Sequence, residues 1–313
     1  MRAGAVIASA FLTGVAATVA GQTGDAAKIL TDARQALGGD SALTAVQTIT
    51  VIGSLARTVG NHTSDNSLEI AWELPDKFVR TERRTEGSGG PLPSWTITTR
   101  DGFAGDVPIH ESLAPDAPFP VEISVNPPPQ TPADIAADLK KRLSNQRHAF
   151  SQYALVLFAA SPVVHPVSLT PVGQRPVGNS TADVIDARGP DNRVVRLYVD
   201  VKTHLPVMLT WMARPVVVTS SGTTMTAVAV RGGQSMPVTR PEMAPIALPA
   251  GDPTAGMPDV EHQMTISDYK VDNGLNWPHR FVDRVNGKVF EDVRLGKFKV
   301  NGKINPSAFR IPK

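Results

Sequence analysis

The chain has 313 residues, 41% of them hydrophobic and 19% charged, the composition of an ordinary soluble globular protein with room for one large domain or two small ones. Its formal net charge of +2 is too small to imply a nucleic-acid partner, no basic stripe with interleaved aromatics appears, and none is expected. There is no cysteine, which excludes disulfides, thiolate metal sites, a cysteine nucleophile and a lipid-modified N-terminal cysteine.

Residues 1–20, MRAGAVIASAFLTGVAATVA, have the form of a secretory signal peptide. Arg2 is the positive start, Ala3 to Val19 the apolar run, and Thr18-Val19-Ala20 a small-residue cleavage site. The run is near the length that spans a bilayer but is rich in Ala and Gly, so a retained anchor is the alternative reading. With cleavage the mature chain is an exported, soluble protein. No later segment is long and apolar enough to span a membrane.

Apolar spacing at Ala26, Ile29, Leu30, Ala33 and Leu37 predicts a short helix stopped by Gly38-Gly39. Ser41 to Ala45 is a further turn. Val46 to Thr58 alternates as a strand, with Ile49, Val51, Gly53 and Leu55 on one face. Ser67–Leu74 and Lys77–Glu86 form a hairpin across Pro75-Asp76. Trp95–Arg100 is a strand closed by an Asp101-Gly102 turn, and Val107–Gln130 is a proline-rich loop.

Thr131 to Ala160 is the one long helix. Thr131 suits the N-cap, Pro132 the first helical position and Asp134 the capping-box carboxylate. Ile135, Leu139, Leu143, Phe150 and Leu157 share a face, and Ser161-Pro162 ends the run. Strands follow near Val167–Pro171, Thr181–Ala187, Val194–Val201 and Leu205–Met212, with Thr223–Val230 a further candidate. Residues 231–259 are a proline-rich connection without periodicity. The tail gives strands at Val260–Val271, Pro278–Asn286, Lys288–Lys299 and Phe309–Ile311, with hairpin signals at Asn273-Gly274, Asn286-Gly287 and Asn301-Gly302.

Many hairpins and one inserted helix give an α+β class: a large curved antiparallel sheet forming an unclosed barrel. The long helix either sits in the mouth of that sheet or simply covers one of its faces. No repeat or second core is visible, so residues 21–313 form a single domain with a proline-rich insertion at about 213–259.

No HExxH, GxSxG, P-loop or GxGxxG occurs. His62, His110, His148, His165, His204, His262 and His279 have no partner at ligand spacing. Each reads as a surface or turn residue, and no metal or cofactor is expected. Asp101, Asp106, His110 and Glu111 are a weaker alternative as a carboxylate–histidine cluster. Arg80, Arg83 and Arg84 read as a solvated strand face, with an anionic head group as the alternative. Trp72, Phe78, Phe150, Trp211 and Phe281 are the aromatics expected to point inward, alongside Leu139, Leu143, Leu157 and Leu209. They are packing residues in an ordinary core and pocket lining in an open barrel, and patterning does not separate the two.

The opening helix with LGG at 37–39, AVQTITVIGSL at 45–55, ELPDKFVRTER at 73–83, DGFAGD at 101–106, DVKTHLPVMLTW at 200–211 and DNGLNWPHRFVDRVNGKVFEDVRLGKFKVN at 272–301 together resemble the LolA-like superfamily of exported bacterial proteins. That group includes the periplasmic carrier LolA, LolB and the sensor-regulator RseB. The resemblance is strongest to its divergent outer membrane lipoprotein-sorting proteins. It implies a periplasmic location and a half-barrel with the long helix as lid or plug. It further implies an apolar cavity for lipid or lipoprotein acyl chains, with outer- or inner-membrane lipoprotein machinery as partner. No ligand contact transfers residue by residue. The expectation is a non-enzymatic carrier; a periplasmic sensor or scaffold using the same barrel is the alternative, and a hydrolase with a diffuse site a third. N-terminal sequencing of the exported protein is expected to start near Gly21 or Gln22 in a soluble fraction; Met1 retained in a membrane fraction contradicts the cleavage reading.

Overall fold

The computed structural model describes residues 25–86, 93–116, 131–215, 230–231, 234–235 and 256–311. The expected leader at 1–20, residues 117–130 of the expected proline-rich loop, and nearly all of the expected strand at 223–230 and connection at 231–259 lie outside these residues.

Helix α1 (Ala26–Ala36) starts at Asp25, whose carboxylate accepts from the Ala27 N–H, and buries Ala26, Ile29, Leu30 and Ala33. It stops at Gly38 and Gly39, both at positive φ (129° and 95°). A Cβ on Gly38 would lie 2.7 Å from Leu275, so this turn is also a contact with the C-terminal strands. A short α2 (Asp40–Thr44) leads into five strands: β1 (Thr48–Val59), β2 (His62–Glu73), β3 (Lys77–Glu86), β4 (Trp95–Ala104) and β5 (Val107–Leu113). The long helix α3 (Pro132–Phe158) follows, then β6 (Ser168–Val177), β7 (Ser180–Arg188), β8 (Val194–Asp200) and β9 (Pro206–Ala213). A two-residue pair, β10 (Val230–Arg231) and β11 (Gln234–Ser235), stands apart. The C-terminal run is β12 (Val260–Asp272), β13 (Leu275–Val285), β14 (Lys288–Leu295), β15 (Lys299–Val300) and a 3-10 turn, Pro306–Phe309.

All the ladders among the described residues are antiparallel, and apart from β10–β11 they form one 13-stranded sheet ordered β5-β4-β3-β2-β1-β14-β13-β12-β9-β8-β7-β6, with β15 also on β1. Among the described residues it does not close: β5 and β6 are its two ends. The first meander (β1–β5) and the second (β6–β9) share no ladder. The C-terminal hairpins stitch them together, β14 onto β1 and β12 onto β9. Helix α3 is the connection from one end of the sheet to the other, packing on β4, β5 and β8 as it crosses. This is the expected α+β half-barrel, a sheet curved around its helix.

Alternation sets the curved face. Ile49, Val51 and Leu55 of β1 are buried while Ile52 is 63% exposed. The turns follow their residues too: Asn273-Gly274 and Asn286-Gly287 both have positive φ at both positions, the type I′ geometry that matches strand twist. Asn301 is different. Its side chain accepts from the Gln47 N–H at 2.7 Å and donates to the Ala45 carbonyl at 3.0 Å, tying the tail to the start of β1 instead of turning a hairpin.

Three expectations are corrected. Asp101-Gly102 does not turn the chain: β4 runs through it, and Gly102 is there because a Cβ would sit 2.0 Å from the Phe78 carbonyl oxygen across the ladder. The start of the proline-rich loop is strand β5, whose Ile109 is fully buried; Pro108 is tolerated because the strand is at the edge. Phe309 ends a 3-10 turn and covers Ala71 and Val79 on the outer face of the sheet.

The Thr131 capping box forms as the sequence indicates, with Thr131 Oγ1 accepting from the Asp134 N–H and the Asp134 carboxylate from the Thr131 N–H. The helix closes at Phe158, and Ala159 turns left-handed at φ 45°. The expected apolar face is buried only in part. Phe150, Ala154, Leu155, Val156, Leu157 and Phe158 are in the core and Leu143 packs against it, but Ile135 and Leu139 are each 46% exposed. A helix of this length runs roughly 40 Å at 1.5 Å per residue, and its charged first half, with Asp134, Asp138 and Lys140 to Arg142, stands clear of the core. Phe150→Ala is therefore expected to cost about 3–5 kcal/mol in urea unfolding. Ile135→Ala and Leu139→Ala should each stay within about 0.5 kcal/mol of the native protein. Equal losses at the two ends would contradict this division of the helix.

Candidate functional site

The inner half of α3 rests on an aromatic floor. Trp72 meets Phe150 with ring centroids 5.2 Å apart and Phe78 at 5.9 Å, and Phe78 meets Phe150 at 5.7 Å. Phe103 approaches Phe150 edge-on at 5.5 Å, and Phe158 lies 5.7 Å from Trp72. Trp72 on Phe150, Trp72 on Phe78 and Phe103 on Phe150 are edge-to-face, an arrangement aromatic quadrupoles favour, and the other two pairs are tilted. Tyr153 sits one helical turn on, 6.1 Å from both Trp72 and Phe281.

Beside Tyr153 the curved face turns from apolar to charged. Phe78, Arg80 and Glu82 alternate onto it from β3, Leu55 and Arg57 from β1, Glu291 and Val293 from β14. Arg57 binds Glu291 at 2.6 Å and Glu82 at 2.9 Å, and Arg80 bridges the same two carboxylates at 3.2 and 2.9 Å. Burial alone would raise the Glu291 carboxyl, but Arg80 and Arg57 against it hold it below its ordinary value. Burial likewise works against the Arg80 charge, and Glu291 beside it more than offsets that. Burial pushes the Tyr153 phenol up.

Where this network meets the helix there is a cavity of about 100 Å³, lined among others by Arg80, Tyr153, Trp211, Met264, Phe281 and Glu291. Trp211 is held by stacking on His262 at 5.0 Å, and His262 Nδ1 is 2.7 Å from Asp283 Oδ2. The volume is below the roughly 300–1,000 Å³ of a small-molecule site. The lining offers contact surface and a neutralised charge cluster, with no serine, threonine or cysteine nucleophile among its residues.

Of the expected lining residues, Trp211 and Phe281 face this cavity. Trp72, Phe78, Phe150, Leu157 and Leu209 are in the packed core, Leu143 packs on its border, and Leu139 is on the exposed half of the helix, away from the others. Arg80 is not on a solvated face as its charge suggests. Its alternation with Phe78 is the signal that places it inside. Asp101, Asp106, His110 and Glu111 do not converge. Asp101 pairs with His110 at 2.5 Å, Glu111 with Arg100 at 2.6 Å and Asp106 with Arg147 at 2.5 Å; adjacent register positions put the first two pairs on opposite faces of β4 and β5. Of the seven histidines, His148, His165, His262 and His279 are buried, against the expectation of surface or turn positions.

No protein-family model and no curated protein matches the chain. Among solved structures it is similar to a LolA superfamily protein from Nitrosomonas europaea, at 11% identity and TM-score 0.44 over 91% of this chain and 97% of that one. It is also similar to a putative outer membrane lipoprotein-sorting protein domain from Vibrio parahaemolyticus, at 8% identity and TM-score 0.45 over 91% and 97%. A DUF1329 family protein from Desulfovibrio piger matches at 6% identity and TM-score 0.41, again over 91% and 97%. No helix among the described residues is long and apolar enough to cross a membrane.

The charge cluster makes a pH prediction. Because the folded-state Glu291 carboxyl is held below its ordinary value, its contribution to stability is full above that ordinary value and is lost as pH falls through the folded-state one. The urea midpoint of the native protein is expected to drop on acidification below the usual carboxylate range, and that of Glu291→Gln to drop less from a lower starting level. Parallel acid profiles for the two proteins would show that Glu291 contributes no pH-dependent stability.

Proposed function

We propose that this is an exported, non-enzymatic binder of a hydrophobic ligand, a lipid or a lipoprotein acyl chain, which enters when α3 leaves the curved face of the sheet. The observation that carries the reading is that, among the described residues, one helix covers an aromatic, open-edged face with a cavity of about 100 Å³ beneath it. An acyl chain does not fit that cavity, so binding and helix displacement are one event.

The magnitudes allow such an exchange. Exposing Phe150, Leu155, Val156, Leu157 and Phe158 costs roughly 8–15 kcal/mol at about 1.5–3 per side chain, and burying an acyl chain of about 16 carbons at about 0.8 kcal/mol per CH₂ stabilises by roughly 12. The two terms are of one size, so ligand and helix compete for the same surface. The Arg57–Arg80–Glu82–Glu291 cluster lies at the polar end of that surface, where a head group would rest. Transfer between membrane-bound lipoprotein machineries is the setting the resemblance implies. A second reading, a periplasmic sensor or scaffold, draws on Ile135 and Leu139, one helical turn apart and each 46% exposed, an apolar stripe on the outer half of α3 open to a protein partner.

A chain without cysteine makes the test direct. Cysteines placed at Asp106 and Arg147, whose side chains pair the β4–β5 turn with α3, are joined by a reducible bis-maleimide. The uncrosslinked protein is expected to bind a fluorescent fatty acid. The cross-link, which lowers the fraction of opened protein, should weaken binding at least about tenfold, and reduction should restore it. No probe binding before cross-linking, or equal binding after it, overturns the reading; binding of a protein partner that Ile135→Asp/Leu139→Asp abolishes would favour the second.

A further inference from the structure

A second group of residues lies on another face of α3, remote in sequence and absent from the reading above. Ser144, His148 and Ser151 follow one another at helical spacing. His148 is 7% exposed, and His165, in the segment that follows the helix, is 3% exposed. The β7–β8 turn brings Asp191 to both: one ligand atom from each of the three residues lies within 4.8 Å of the others. Nδ1 of His148 and Nε2 of His165 have no hydrogen-bond partner among the described residues. Burying two unpaired imidazole nitrogens is unfavourable unless something accepts their lone pairs.

Gly189 adds an independent observation. Its φ is not in the left-handed region, so the backbone does not require glycine there. Space does: a Cβ at 189 would lie 2.5 Å from His165 Nε2 and 3.0 Å from Asp191 Oδ1. The glycine keeps open the spot on which those two ligand atoms border.

We propose that His148, His165 and Asp191 bind a single divalent transition-metal ion of the zinc type, fastening α3, the segment after it and the β7–β8 turn to one another. Two imidazoles and one carboxylate suit zinc and its neighbours, not magnesium or calcium, and three protein ligands leave a fourth position for water. Burial holds both imidazoles in the neutral form that ligates, His148 down to about 4 and His165 also lowered. The carboxylate is oriented from behind: Asp191 Oδ2 accepts from Arg193 Nε at 2.8 Å and from Ser144 Oγ at 3.2 Å, and Oδ1 accepts from the Arg193 N–H at 3.1 Å. Arg193 is also the cation an incoming ion must tolerate. Its charge is already paired with that carboxylate, and it reaches on to the Ser144 carbonyl and Asn145. Arg147, the other nearby cation, is paired with Asp106 at 2.5 Å. The inference does not rest on the lipid-binding reading, and an ion held here would oppose the displacement of α3 that reading requires.

The test is calorimetric titration of Zn²⁺ into the full-length chelator-treated protein, with Mg²⁺ and Ca²⁺ as controls. One equivalent of Zn²⁺ is expected to bind and neither control should. His148→Ala, His165→Ala and Asp191→Asn should each weaken binding by at least about 100-fold, beyond what loss of an outer-shell group alone produces. Gly189→Ala, which leaves every ligand in place but fills the space between them, should weaken it as well. Imidazole ¹⁵N shifts in the native protein give a readout that needs no variant: on Zn²⁺ addition only His148 and His165 are expected to move strongly among the seven histidines. Absence of stoichiometric binding, equal binding of Mg²⁺, shifts confined to other histidines, or full binding in the His148→Ala and His165→Ala proteins overturns the site.

Discussion

The contact on which the rest depends is Trp72 against the inner half of α3. The two meanders share no ladder, and strand twist and the register shifts in β13, β6 and β8 bend the sheet without by themselves filling its concave face. A column of aromatic and aliphatic side chains on one helix fills it. Phe150 and Phe158 reach Trp72 from the helix, and Phe78 and Phe103 meet them from neighbouring strands. Phe158 goes on to touch Trp277 at 5.9 Å, which is stacked on Phe298 at 5.1 Å. One continuous run of rings thus joins the N-terminal meander to the C-terminal hairpins that hold both halves together.

The charged end of the same face is a different kind of constraint. Two arginines and two carboxylates largely withdrawn from water are costly to assemble and costlier to break, since removal of one partner leaves an uncompensated charge. They add little net stability relative to an apolar replacement of the same shape. What they do is fix where the apolar surface ends: the aromatic floor stops at Tyr153, and beyond it the sheet presents paired charges. A face with an apolar floor and a polar rim has the polarity of an amphiphile, which is the physical basis of the binding reading.

Much of the architecture was legible in the chain. The period-two pattern at Ile49–Leu55, the Asn-Gly turns, and the Thr131-Pro132-Asp134 start of the long helix are local signals, and local chemistry decides them. The failures share a cause. Gly102 looks like a turn residue because its reason for being glycine is an atom on another strand. Arg80 looks solvated because its counter-charges come from β1 and β14. Phe309 looks like the opening of a strand, and only the outer face of β2 and β3 makes it a lid. Leu139 carries the apolar period of α3 but lies before the helix reaches the core. For the candidate site, the inward aromatics were found as a class, yet patterning did not show which of them pack together and which two, Trp211 and Phe281, border the cavity. His148, His165 and Asp191 left no spacing to read, since a helix, a connecting segment and a hairpin turn supply one residue each.

An unclosed sheet leaves two strands with unpaired backbone groups, the chemistry from which chain-to-chain stacking and fibrils grow. The two ends of this sheet are β5 and β6, and both carry proline: Pro108 in the first, Pro171 and Pro176 in the second, with a break in register between Pro171 and Gly173. Each proline removes a donor from the edge, and the irregularity bends β6 out of the plane a docking strand would need. Both rims are thereby poor templates for growth, so that half a barrel can persist at high concentration without recruiting copies of itself to finish the ring.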